Sequence, residues 1–227
     1  TPDKTYLLGT IIVSGATINP SYIDQFQIHR ENKELQNEVL VLGSKIDGQV
    51  DKRLRLGLSM QCLGMMQQQA GGQDMQIMGS GALIQNDIMT ADQIQKIEWE
   101  DDMGMMNTMS NSEMVKWQLI DEGTDKVNED IDWKFQVGDM VKISIFNDPK
   151  SQHPMQHPIH FHGQRFLLLS TNGVKNDDMV WKDSVLVQTG DTIEILLQVT
   201  NPGEWMAHCH IAEHLESGMM FQYSVSQ

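Results

Sequence analysis

The chain is 227 residues long and carries 31 Asp and Glu against 16 Lys and Arg, a formal net charge of −15 at pH 7. That carboxylate excess argues against nucleic acid or an anionic membrane as partner; it favours cations near the surface, although solubility alone accounts for it. No run approaches the roughly 20 apolar residues of a membrane span, and the length suits one packed β-domain with attached segments rather than two complete domains.

In chain order, residues 1–15 read as a hydrophobic strand, Tyr6 to Ser14, closed by the Ser14-Gly15 turn. Residues 16–50 are a polar connector with room for a helix around Tyr22 to Glu38. Alternating or β-rich runs follow at Arg53–Met60, Met114–Ile120, Met140–Phe146, Arg165–Ser170, Val180–Val187, Thr192–Thr200 and Met219–Val225. Asn172-Gly173, Thr189-Gly190-Asp191 and Asn201-Pro202-Gly203 punctuate them as turns. Many short strands at this spacing imply an all-β fold, a Greek-key β-sandwich over residues 51–227 behind an N-terminal connector segment.

Residues 60–114 hold 11 of the 17 Met residues, clustered as Met65-Met66, Met75 and Met78, and Met103, Met105, Met106 and Met109. Two readings stand. A thioether is soft and has no proton to lose, which suits Cu(I); Met also fills irregular gaps and adapts to partner surfaces.

The chemistry concentrates near the C-terminus. His208-Cys209-His210-Ile211-Ala212-Glu213-His214, with Met219 just beyond, packs a thiol, three imidazoles and a thioether into twelve residues, and His157-Pro158-Ile159-His160-Phe161-His162 lies about fifty residues upstream. Six of the eight histidines fall in these two runs, leaving His29 and His153. On a strand over 205–210, Cys209 faces one way while His208 and His210 face the other, so one strand serves two metal sites. Cys209, His214 and a histidine from the other run, for which we choose His157, form a trigonal set with Met219 as a long axial ligand, the arrangement of a blue-copper centre. His160 and His162, two apart on one strand face, join His208 and His210 in an all-imidazole site. A zinc site or a buried thiol would also place Cys beside His, but zinc gains nothing from the trailing Met219.

These segments resemble the two C-terminal copper signatures of the multicopper oxidases, the group containing laccases and cuprous oxidases. Gly138-Asp139, Asn147-Asp148-Pro149 and Trp181-Lys182-Asp183 are similar to the same domain, so that the likeness runs from about residue 95 to the end. It implies a cupredoxin-like fold, type 1 copper on His157, Cys209, His214 and Met219, type 2 copper on His160, and the paired type 3 coppers on His162, His208 and His210. It implies a copper-dependent oxidase in which single electrons from a small reducing substrate, a phenol or a low-valent metal ion, pass through Cys209 to His208 and His210 for reduction of dioxygen to water. Export from the cytoplasm, as a secreted or periplasmic protein, is a further implication.

The family's trinuclear cluster takes four more histidines from two His-x-His motifs of an N-terminal domain, and neither motif occurs here. The chain is therefore expected to be the C-terminal part of a longer oxidase, residues 1–15 resembling the closing strand of a preceding domain, and to need a second polypeptide carrying the N-terminal domains. Cuprous oxidases of the family place an acid and a Met before the upstream type 1 histidine; Met155 holds the Met position and His153 stands where the acid would be, giving a possible site for a substrate metal ion. With Cys209 on copper, Cys62 is expected to be a small buried residue, and Glu213 and Glu216 to be solvated or structural rather than proton relays. A blue-copper electron carrier and a copper-sequestering protein built on the Met-rich segment are the alternatives; the carrier leaves His160, His162, His208 and His210 without a purpose.

Overall fold

The computed structural model describes residues 32–60, 115–151 and 154–227, with the isolated positions 9, 10, 12, 15 and 97. The strand expected at Tyr6–Ser14 and the Met-rich segment lie largely outside the described residues, as do Cys62, His29 and His153. The connector helix is described as α1 (Lys33–Val41), which overlaps the expected span at its C-terminal end. Its first turn is capped by the Asn32 side chain, which accepts from the Leu35 N–H at 3.0 Å. A short α2 (Gly43–Ile46) follows.

From there the chain is β-structure: β1 (Lys52–Met60), β2 (Val115–Asp121), β3 (Lys126–Val127), β4 (Trp133–Gln136), β5 (Met140–Asn147), β6 (His157–Phe161), β7 (Arg165–Thr171), β8 (Val174–Lys175), β9 (Trp181–Lys182), β10 (Ser184–Val187), β11 (Thr192–Gln198), β12 (Gly203–Cys209) and β13 (Met220–Ser226), with a five-residue helix α3 (Ala212–Glu216) before the last. An eight-stranded sheet runs β3-β2-β1-β5-β11-β7-β8 with β9 also on β7, and a five-stranded sheet runs β10-β6-β12-β13-β4. Pairing is antiparallel except for β1 with β5 and β4 with β13. This is the cupredoxin-like Greek-key sandwich expected of the sequence.

Alternation explains the core. β6 reads buried-intermediate-buried-intermediate-buried, so His157, Ile159 and Phe161 face the other sheet while Pro158 and His160 face away. Leu56, Leu119, Ile143, Ile145, Ile195 and Phe221, each 0% exposed, fill the gap from both sheets. Burying each such side chain is worth about 1.5–3 kcal/mol. A second, smaller cluster, Ile46 with Leu167, Leu169 and Leu196, fixes α1 and α2 to the outer face of the large sheet. Polar anchors hold the helices there: Glu38 accepts from Trp181 Nε1 at 2.6 Å, and Lys142 Nζ donates to the carbonyls of Ile46 and Gly48 at 3.1 Å each.

One expected strand needs correcting, and β4 was not foreseen. Val180–Val187 is not one strand, because Asp183 marks a crossing: Trp181–Lys182 pairs β7 in the large sheet, and Ser184–Val187 pairs β6 in the small one. β4 was not among the expected runs, although its burial alternates buried-exposed-buried-exposed.

Candidate metal centre

β6 and β12 lie side by side, with His208 opposite His160 and Cys209 opposite Ile159. Their register makes the two histidine runs neighbours, and the pleat sorts the ligands onto two faces. His157, Cys209 and His214 converge between the sheets, and His160, His162 and His208 converge on the outer face of the small sheet, each set with its ligand atoms within 4.8 Å of one another.

The inner group is sealed: Cys209 is 0% exposed, His157 2% and His214 4%, and the expected fourth ligand, Met219, is buried as well at 0%. His157 Nδ1 and His214 Nδ1 are 3.2 Å apart, and Cys209 Sγ lies 3.7 Å from the first and 3.5 Å from the second. A metal roughly 2.0–2.3 Å from each nitrogen and sulfur would give edges of about 3.5–3.8 Å in a trigonal plane, so the donor triangle fits an ion at its centre. Burial pushes the Cys209 thiol up to about 12, so a buried thiolate here needs a cation beside it. Thiolate and imidazole donors suit copper.

Backbone bonds set the geometry. Helix α3 carries His214 as its buried residue, and the His214 carbonyl accepts from the Met219 N–H at 2.9 Å. The Met219 carbonyl in turn accepts from the Cys209 N–H at 3.1 Å. Gly218, with φ 98°, makes the turn that this closure requires. Upstream, the Asn147 amide donates to the carbonyls of Met155 and Val187 at 2.8 and 3.1 Å, which fixes the approach to His157. Met155 itself is partly buried against the main core.

The outer group is more open. His160 Nδ1 contacts the Asp183 carbonyl and Ser184 Oγ, both at 2.9 Å, and His208 Nδ1 contacts the Cys209 carbonyl at 2.7 Å. When both nitrogens donate, Nε2 of each ring keeps its lone pair for a metal. His162 Nε2 and His208 Nε2 are 3.0 Å apart. Burial, followed by the neighbouring imidazoles, holds His162 below the ordinary 6.5. Burial does the same for His208, against an opposing hydrogen bond to the Cys209 carbonyl. The exposed His210 lies just past the end of β12, its ring centroid 5.6 Å from that of His208 and 5.8 Å from that of His160. His162 does not share a strand with His160: β6 ends at Phe161, and His162 stands in the following turn. The Tyr223 hydroxyl holds that turn by donating to the His162 carbonyl at 2.6 Å.

Sequence reasoning missed Trp117, whose indole stacks on His214 with ring centroids 3.8 Å apart. Only its place at a buried position of β2 could have pointed inward, and nothing in the pattern names the ring it meets. Glu213 and Glu216 are exposed on α3.

A family model described as multicopper oxidase matches residues 94–227. The chain is 36% identical over 105 residues to the oxidoreductase tpcJ of Aspergillus fumigatus, covering 39% of this chain and 17% of that protein. It is 35% identical over 106 residues to the multicopper oxidase mco of Staphylococcus aureus, covering 46% and 22%. With Laccase-3 of Botryotinia fuckeliana the figures are 31% over 102 residues, covering 40% and 22%. Among solved structures, the multicopper oxidase of Campylobacter jejuni, titled a metallo-oxidase, aligns with a TM-score of 0.48 at 22% identity, covering 80% of this chain and 31% of that one. The matched stretch spans less than a quarter of the length of these curated relatives. The family model covers more than half of the chain and includes both ligand groups, and the chain belongs to the multicopper oxidase family.

Proposed function

We propose that this chain is the C-terminal portion of a laccase-like oxidase, in which β12 joins an electron-accepting copper site to an oxygen-reducing one. The observation that carries the reading is the sorting of ligands along one strand: Cys209 with His157 and His214 inside, His208 with His160 and His162 outside. Type 1 copper would be held by His157, Cys209, His214 and Met219; His160, His162, His208 and His210 would hold their share of the type 2 and type 3 coppers. Copper bound in these places would supply one-electron uptake from a reducing substrate and the reduction of dioxygen to water.

The chain's own residues supply the rest. The inner group excludes water, which keeps its ligands from exchanging and lowers the reorganisation that accompanies a change of charge. Cys209 and His208 are consecutive, and the contact of His208 Nδ1 with the Cys209 carbonyl at 2.7 Å closes a short bonded path between the two groups. The outer group is partly open at His160 and His210, and four imidazoles are too few donors for three metal ions. The remaining donors therefore come from N-terminal cupredoxin domains, on a second polypeptide or a preceding segment, docked on that face. The division into a 1–15 strand, a 16–50 connector and a 51–227 domain belongs to the same proposal, as does a secreted or periplasmic location; among the described residues no helix is long and apolar enough to cross a membrane. Met155 and His153 are our candidates for presenting a metal-ion substrate, with phenols the other substrate class.

Oxygen uptake tests the reading. The rigorously purified chain is expected to take up copper and turn blue, yet to leave dioxygen unreduced until polypeptide carrying the missing His-x-His motifs is added. Complete reduction of dioxygen to water by the single chain, with no second polypeptide visible by mass spectrometry, would overturn the need for a partner.

A further inference from the structure

Trp117 belongs to the large sheet, but its indole reaches across the sandwich to the inner ligand group. It stacks on the His214 imidazole with centroids 3.8 Å apart and planes 23° from parallel, and meets His157 edge-on at 5.2 Å and 69°. The indole is 4% exposed and closes one side of the group. Its backbone is pinned from both sides, because the Asn128 side chain donates to the Trp117 carbonyl at 2.9 Å and accepts from the Leu119 N–H at 2.7 Å. His214 Nδ1 also lies 3.2 Å from His157 Nδ1 and 3.5 Å from Cys209 Sγ, contacts at one edge of the ring, whereas the indole covers its face. Helix α3 is five residues long, its N-cap makes no side-chain bond, and so short a helix is marginal alone.

We infer that Trp117 is a positioning residue of the inner group: it holds the plane of the His214 imidazole, keeps water from that side, and thereby raises the affinity and the reduction potential of the bound copper. The inference rests on the copper reading of His157, Cys209 and His214. Stacking restricts the ring to one orientation, so its lone pair is aimed before the ion arrives and less order has to be imposed on binding. An apolar wall disfavours the more highly charged state of the ion, so removing it favours Cu(II) over Cu(I).

The test compares wild type with Trp117→Leu and Trp117→Phe. In the metal-free chain, a His214 ring proton beneath an indole face is expected to resonate well upfield in NMR spectra, an offset lost in Trp117→Leu and largely kept in Trp117→Phe. Absence of that offset in wild type would overturn the positioning role whatever the metal does. With copper(II) salt as probe and a competing chelator, Trp117→Leu is expected to bind about tenfold more weakly, with a shifted or broadened visible band and a lower potential, and Trp117→Phe to recover most of each. Equal affinity, band and potential in all three proteins would overturn the inference. A wild-type chain that binds copper without any blue band would instead sink the copper reading, leaving the NMR result to decide the positioning role.

Discussion

Burial that pushes the Cys209 thiol up to about 12 has two consequences at the level of the residue. In the metal-free chain the folded value lies above the unfolded one, so the stabilisation is fully present below the unfolded thiol's value and is lost as pH rises toward the folded value. Metal uptake must also expel the proton. Copper binding at pH 7 is therefore expected to release one proton that Cys209→Ala does not release, measured by calorimetry in buffers of different ionisation heat; identical release would exclude the thiolate. Asp121 shows the opposite balance. Burial alone would raise it, but hydrogen bonds from Trp133 Nε1, the Thr124 hydroxyl and the Gly123 N–H, with the Lys52 charge, hold it below its usual 3.8. Its contribution is present above that pH and is lost as pH falls through the folded value. Asp121→Asn, which leaves part of this buried set unpaired, should cost about 1–3 kcal/mol in urea unfolding at pH 7, and the difference from wild type should shrink as the pH falls below 3.8.

Among the elements, the turn after β6 carries the tightest constraint. Gly163 has φ 69°, and a Cβ there would collide with the Trp205 indole. Gly163→Ala combines left-handed strain with overpacking and should cost roughly 2–4 kcal/mol. Trp205→Leu in the same chain should recover the packing part, since the two sites share a contact; additive losses in thermal unfolding would show that the indole is not the obstacle. This turn also shows where sequence reading stopped. The opposite facing of Cys209 and His208 was legible because it depends only on strand period. The place of His162 was not: a His-x-His pair implies one strand, whereas the strand ends at Phe161 and the ring reaches His208 from a turn held by Tyr223. Val180–Val187 looked continuous because periodicity carries no information about partners, and the change of sheet at Asp183 is a matter of pairing. β4 went unread because Trp133–Gln136 is too short for a period to declare itself. Trp117 shows the same limit across the sandwich: the pattern marks it as inward-facing, and only the packing of two sheets puts it on His214.

For the molecule as a whole, the two sheets divide the labour. The large sheet supplies the core wall, Trp117 and the seat for α1, while the small sheet carries the β6 and β12 ligands on both of its faces. The two ligand groups thus meet at the pairing of β6 with β12, His208 opposite His160, with His162 added from the following turn and His214 from α3. The two donor clusters were legible in the sequence because the donor types lie so densely; the sealing of one group and the partial opening of the other were not, since burial is a property of the assembled sandwich. In the proposed function, Cys209 is the thiolate of a copper site inside the sandwich. The visible absorption spectrum of the copper-loaded chain tests it most directly: an intense blue band is expected in wild type and none in Cys209→Ser, with the far-ultraviolet circular dichroism of the two unchanged. A band that survives the substitution in a folded chain would contradict it.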